Sequence, residues 1–267
     1  MWREIQCQSC KSGNMQERFI YNILLVATFA SAALIFLLLF RIIAPYGRHI
    51  RKGWGLTIQA RFGWLIMELP AFLVILICFV IGNRRNDVVS IVFLAIWMIH
   101  YAQRTFIYPF LMRSGRKQFP VLLMTFAILF NTINGYLNGR YLFYFAPIYR
   151  LNWLADPRFI IGTIIFFTGF ITNIYSDGEL RRLRKPGEDT YGIPQRGLYR
   201  FVSSPNYFGE IIEWIGWAIA TWSLPGLAFA VFTMANLIPR AYFNHRWYQE
   251  EFSDYPAERK VLIPFIY

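Results

Sequence analysis

A run of uncharged, apolar residues from about Phe19 to Phe40 is long enough, as a helix, to cross the hydrocarbon core of a bilayer. Six further stretches follow, roughly Phe62 to Gly82, Val88 to Met112, Phe119 to Leu137, Phe159 to Tyr175, Tyr207 to Leu224 and Pro225 to Ile238. Spans of about 20 residues each consume more than half of a 267-residue chain, which leaves no room for a separate soluble domain. Only 16% of the residues are charged, against about 25% in soluble domains, so the polar residues cannot cover a water-soluble globule. The reading is an all-α integral membrane protein, a bundle of seven transmembrane helices forming one domain over residues 1–267. The last two spans are short and meet at Ser223-Leu224-Pro225-Gly226, which predicts a helical hairpin. The first run lacks a small-residue cleavage site and reads as a span rather than a signal peptide.

Basic residues fix the expected orientation. Eighteen fall on one side, in clusters from Arg41 to Arg61, Arg113 to Lys117, Arg181 to Arg200 and Arg240 to Lys260, against eight on the other. The N-terminus is therefore expected outside and the C-terminus in the cytosol. The net charge of +12 fits loops facing anionic lipid, and nucleic acid is not expected as a partner, because the basic clusters are short and separated by apolar runs. Cys7, Cys10 and Cys78 cannot build a disulfide framework, and the Cys7/Cys10 spacing lacks the second pair or histidine of a zinc site. His49, His100 and His245 are scattered, so no metal is expected. Gly53-Trp54-Gly55 lacks the third glycine and the preceding strand of a dinucleotide fingerprint. The polar stretch from about Asp177 to Arg200 is expected to be an ordered cytosolic loop, and a loop this long is often functional.

Ionisable groups inside spans are costly, so each marks a candidate site. Glu68 lies within the second span, where an apolar setting favours a carboxyl that keeps its proton and can donate a hydrogen bond. A snorkelling interfacial Glu is the alternative. Tyr101, Arg104 and Tyr108 follow i, i+3, i+7 beside His100 and share one helical face. Three later stripes lie near cytosolic helix ends: Asn173, Asp177 and Arg181 or Arg184; Asn206, Glu210 and Glu213; and Arg240, Asn244 and Tyr248. Together they could line a polar cavity, with arginines for phosphates and carboxylates or amides for ribose or a carboxamide. The alternative is that the arginines only obey the topology bias, the preferred reading for Arg182, Arg200 and Lys260.

The sequence also carries Leu183-Arg184-Lys185-Pro186-Gly187-Glu188, Tyr191-Gly192-Ile193-Pro194, Asn206-Tyr207-Phe208-Gly209-Glu210-Ile211-Ile212-Glu213-Trp214, Asp254-Tyr255-Pro256 and Ile263-Pro264-Phe265. Upstream stand Tyr46-Gly47-Arg48-His49, Glu68-Leu69-Pro70 and His100-Tyr101 with Arg104-Thr105-Phe106. This pattern resembles the steroid 5α-reductase family over nearly the whole chain after the first span. The resemblance implies a seven-helix membrane enzyme that reduces the Δ4 double bond of a 3-oxo steroid with NADPH. It places Glu68 and Tyr101 at the steroid 3-oxo group, and Asn173, Asp177, Arg184, Tyr191, Asn206, Glu210, Arg240 and Tyr248 around the dinucleotide, where Asn244 of the third stripe would join them. The steroid would bind mainly among helices of residues 19–137 and the cofactor mainly within 159–267. Substrate would come from the lipid, cofactor from the cytosol, with no obligate protein partner. Met67 stands where many relatives have Gln, and Gly192 and Asn244 where they often have Arg and His. A sterol Δ14 or enoyl reductase, a prenylcysteine-type methyltransferase, and a seven-helix receptor or transporter are the competing readings. Bacterial inner membrane and endoplasmic reticulum both remain open.

Overall fold

The computed structural model describes residues 2–45, 47–113, 117–183 and 191–267, with side chains from residue 15 onward. The chain is mostly helical. Its elements are α1 (Trp2–Arg41), β1 (Thr57–Gln59), α2 (Ala60–Ile81), α3 (Val88–Ala102), α4 (Tyr108–Leu111), β2 (Gln118–Pro120), α5 (Val121–Arg140), α6 (Pro157–Arg182), α7 (Pro205–Thr221) and α8 (Leu224–Glu251). Among the described residues, six helical stretches are long and apolar enough to cross a membrane: Met15–Arg41, Ala60–Ile81, Val88–Leu111, Val121–Phe145, Pro157–Arg182 and Leu224–Glu251. Their outward faces carry exposed Leu, Ile, Val and Phe, such as Leu37, Ile77, Phe126 and Ile164, as a lipid-facing bundle requires. The architecture is that of a multi-pass membrane protein.

Two of the expected spans are drawn differently. The stretch from Val88 to Met112 is not one regular helix, because a π-helical turn at Gln103–Ile107 separates α3 from α4. Such a turn inserts an extra residue and re-aims the side chains beyond it, which often occurs at functional sites. The stretch ending near Ile238 is too short as read, since α8 continues through Pro239 to Glu251. Likewise the polar loop does not start at Asp177: α6 runs to Arg182 before the chain leaves it. Residues 184–190, and Arg184 with them, lie outside the described residues.

α6 and α7 approach most closely. Gly162 and Gly169 on one helix, and Gly209 and Gly216 on the other, are each seven residues apart, so each pair lies on one helical face. A methyl group at Gly169 would sit 2.4 Å from the backbone nitrogen of Glu213, and one at Gly209 2.6 Å from that of Asn173. Only backbones without side chains can come this near, and the contact sets the polar residues of both helices against each other. Asp156 caps α6 by accepting from the backbone N–H of Arg158, and Ser223 caps α8 by accepting from that of Gly226. α7 and α8 are joined through Trp222, which takes a left-handed backbone at φ 45°, and Ser223, so the expected hairpin forms with Pro225 and Gly226 inside the first turn of α8. A short antiparallel pair, β1 with β2, ties the segments leading into α2 and α5 together. The core packs Trp97, Trp214, Trp217, Phe93, Phe143 and Phe166 at the centre of the bundle.

Candidate active site

Arg104 occupies the π-helical turn and is 8% exposed. Its Nη1 donates to Asp177 Oδ2 at 3.2 Å and its Nη2 to Glu210 Oε2 at 3.2 Å, so one guanidinium bridges α6 and α7. It also stacks over Tyr108, at 4.7 Å from the ring centroid, and over Trp64, at 5.1 Å. The two carboxylates have amide partners as well. Asn206 Nδ2 donates to Asp177 Oδ1 at 3.0 Å, and Asn173 Nδ2 donates to the Asn206 carbonyl at 2.9 Å and to Glu210 Oε2 at 3.3 Å. Asn173, Asp177, Asn206 and Glu210 are thus brought into one cluster. Arg104 is its hub, a role the sequence spacing did not assign. Buried ion pairs hold only where hydrogen bonds satisfy both partners, and this cluster meets that condition.

Glu68, half-buried on α2, accepts from Asn131 Nδ2 of α5 at 3.3 Å. Tyr101, 2% exposed at the end of α3, stacks on Trp97 at 5.0 Å and lies beside Asn134. Glu68 and Tyr101 are within electrostatic range of each other, and Glu68 of Arg104, so this corner borders the arginine cluster. Beneath them Asn131, Asn134 and Asn138 form a buried polar stripe along α5, with Asn138 Oδ1 accepting from Trp217 Nε1 at 2.9 Å. The i, i+3, i+7 spacing of these asparagines was visible in the sequence, but they carry no charge and went unremarked. His100 Nδ1 lies 2.6 Å from Glu213 Oε1, both deeply buried, which gives Glu213 a place in the bundle core rather than beside Glu210.

A third group gathers where α8 meets the loops. Arg48 Nη2 donates to Tyr248 Oη at 3.2 Å and its guanidinium lies over the rings of Tyr248, Trp247 and Tyr191, at 4.4, 4.6 and 5.3 Å. Tyr191 Oη accepts from Lys117 Nζ at 2.9 Å. His49 Nε2 and Asn244 Oδ1 are 3.2 Å apart. Arg240 is half-buried one turn before Asn244 on α8. Arg48 and His49 belong to the Tyr46-Gly47-Arg48-His49 motif but had no site role assigned, because by themselves an arginine and a histidine in a loop read only as topology and scatter. Arg48 Nη1 has no acceptor among the described residues, and elsewhere on the chain neither do Arg181 Nη1 or Arg259 Nε and Nη1. The Tyr199 hydroxyl, also unpartnered, is held protonated by burial, which pushes its pKa well up. Buried cationic donors left unpaired are costly, and a phosphate-bearing ligand supplies the acceptors they lack. Arg48, with the Tyr199 hydroxyl close by, fits a phosphate of a dinucleotide.

The family model described as 3-oxo-5-alpha-steroid 4-dehydrogenase matches residues 117–267. A relative from Bos taurus named 3-oxo-5-alpha-steroid 4-dehydrogenase 1 is 43% identical over 94% of this chain and 99% of its own length. The protein of the same name from Homo sapiens is 46% identical over 83% of this chain and 86% of its own. The steroid 5-alpha-reductase of Arabidopsis thaliana is 42% identical, covering 84% and 88% respectively.

Proposed function

The chain belongs to the 3-oxo-5-alpha-steroid 4-dehydrogenase family, and from that membership we propose that it reduces the Δ4 double bond of 3-oxo-Δ4 steroids to 5α-dihydro steroids with NADPH. The observation that carries this reading is the likeness to such enzymes across 94% of the chain. Six membrane-length helices together with α7, of 17 residues, support a seven-helix bundle, and the excess of basic residues on one side supports a cytosolic C-terminus. On that reading the steroid reaches Glu68 and Tyr101 laterally from lipid, while the cofactor comes from the cytosol to the half formed by residues 159–267.

Addition of hydride to C5 of an enone makes an enolate, so negative charge develops on the 3-oxo oxygen. Donors already aimed at that oxygen stabilise the transition state more than the ground state. Glu68, protonated, and the Tyr101 hydroxyl fill that role. Tyr101 is held by the aromatic packing around Trp97, and Glu68 by Asn131, so neither group reorganises at the moment of reaction. NADPH, when bound, supplies the hydride, and a proton taken up at C4 of the enolate completes the reduction. Asn173, Asp177, Asn206 and Glu210 would hold its nicotinamide and ribose, with Arg104 fixing the two carboxylates as acceptors. Arg48, Tyr191, Arg240, Asn244 and Tyr248, together with Arg184, would hold the phosphates and the far end. The apolar core around Trp214 and Phe229 keeps water from the enolate.

The test uses the purified chain in detergent with NADPH deuterated at nicotinamide C4 and a 3-oxo-Δ4 steroid. Deuterium at C5 of a 5α product is expected. Label lost from the cofactor without appearing at C5 rejects the hydride assignment.

A further inference from the structure

Pro70 lies inside α2, two residues beyond Glu68. Its ring has no N–H, so the carbonyl four residues back, that of Ile66, lacks its helical partner in the turn that carries Glu68. A Glu side chain there has more than one rotamer in which to point. Asn131 of α5, 7% exposed, reaches across this point. Its Nδ2 donates to the Met67 carbonyl at 2.7 Å and to Glu68 Oε2 at 3.3 Å. A backbone carbonyl can only accept, so the atom facing Met67 must be the amide nitrogen, and the orientation of Asn131 is fixed. The nitrogen carries two hydrogens, enough for both acceptors.

We propose that Asn131 is a positioning residue for the reaction: it pins Glu68 Oε2 to the backbone of α2 and so leaves the acidic proton on Oε1, aimed at the substrate carbonyl. The physical reason lies in the chemistry of a carboxylic acid. Its carbonyl-type oxygen is the better acceptor and its hydroxyl the only donor, so an N–H fixed on one oxygen assigns the proton to the other. Without Asn131 the carboxyl can rotate, and either oxygen can carry the proton in either direction. The Met67 contact makes the clamp rigid, because the carboxyl is referred to the backbone of its own helix. This proposal rests on the reading of Glu68 as a donor to the 3-oxo oxygen.

The experiment is a double-mutant cycle in the full chain, with Asn131→Leu, Asn131→Ala, Glu68→Ala and the two combinations. The readouts are kcat for a 3-oxo-Δ4 steroid at saturating NADPH, NADPH affinity and the melting temperature. Loss of one neutral hydrogen bond corresponds to about 3- to 10-fold in rate. We expect Asn131→Leu to lower kcat by that factor with NADPH affinity within about twofold, and to have almost no further effect once Glu68 is Ala. Asn131→Ala serves where the larger side chain prevents insertion. The same fold-loss in both backgrounds, or a loss that follows NADPH affinity or melting temperature, overturns the positioning role while leaving Glu68 in place. Near-wild-type rates for Asn131→Leu and Asn131→Ala overturn it too. Near-wild-type activity of Glu68→Ala alone removes the reading beneath it, and that result is distinct from the others.

Discussion

Around Arg104 two carboxylates, each also held by an asparagine amide, close on one guanidinium, whereas around Glu68 a single carboxyl is met by a neutral amide from α5. The first arrangement is a saturated network spread over α6, α7 and the π-helical turn. The second, on the proposed reading, is a pair of donors, Glu68 and Tyr101, backed by Asn131 and by Trp97. The difference follows from the ligand each would meet. A dinucleotide brings charge and many hydrogen-bonding atoms, so its site needs charged groups that partner one another when it is absent. A steroid brings one ketone on an apolar body, so its site needs two neutral donors in an apolar wall, and charge there would carry a large desolvation cost.

Breaking the saturated side should have the largest effect. Arg104→Met removes the cation and leaves a buried Asp177 and a half-buried Glu210 without it, which should destabilise the folded chain by about 3 kcal/mol. Thermal unfolding in detergent measures this. Adding Asp177→Asn and Glu210→Gln to Arg104→Met removes the stranded charges and should recover much of the loss. An Arg104→Met protein that melts with the wild type would show that the network contributes nothing to stability, and the contrast would disappear.

On the other side the cost should fall on rate rather than folding. Glu68→Gln keeps the shape and a donor but loses the acidic O–H, and Glu68→Ala loses both. Activity should therefore fall in the order wild type, Gln, Ala, with the loss reaching about 10² to 10³. NADPH affinity should stay nearly constant throughout. If both variants keep near-wild-type activity, Glu68 is an interfacial residue and the corner is not a site.

The sequence made the helices legible because apolar runs of bilayer length admit few other structures. It also made Asn173 with Asp177, and Asn206 with Glu210, legible, since spacing of four places residues on one face wherever the helix continues, and both helices do. Arg104 was seen as part of a stripe with Tyr101 and Tyr108, but its partners lie 73 and 106 residues away, and no local spacing reports them. The π-helical turn also breaks the regular period on which that stripe was drawn. The α5 asparagines were missed for a different reason: a search for charge inside spans passes over neutral amides. β1 and β2, three residues each, are too short for any alternation to register.

The smallest effect is expected at the junction between the loop and α8, where His49 can test whether this third group behaves like the saturated side. Burial holds the His49 imidazole below its ordinary pKa, and the nearby Arg48 and Arg51 add to that, against the hydrogen bond with Asn244. Asn244 Nδ2 faces Ser204 Oγ at 3.5 Å, so Oδ1 accepts from the ring, and a neutral His49 can donate through Nε2. Protonation does not remove that bond. It places a third cation beside two arginines in a half-buried position. Because the folded-state value lies below the unfolded one, the folded protein binds fewer protons in that range. Stability from this residue is therefore present above about pH 6.5 and is lost as the pH falls toward the folded-state value. Melting in detergent at pH 7.5 and 5.5 should show the wild type losing more on acidification than His49→Gln, by a margin below about 2 °C. His100 and His245 are present in both proteins, so their contributions cancel in the difference. An equal loss in the two proteins would mean that His49 is as solvated as a free imidazole, and the junction would then resemble neither the closed arginine network nor the apolar corner.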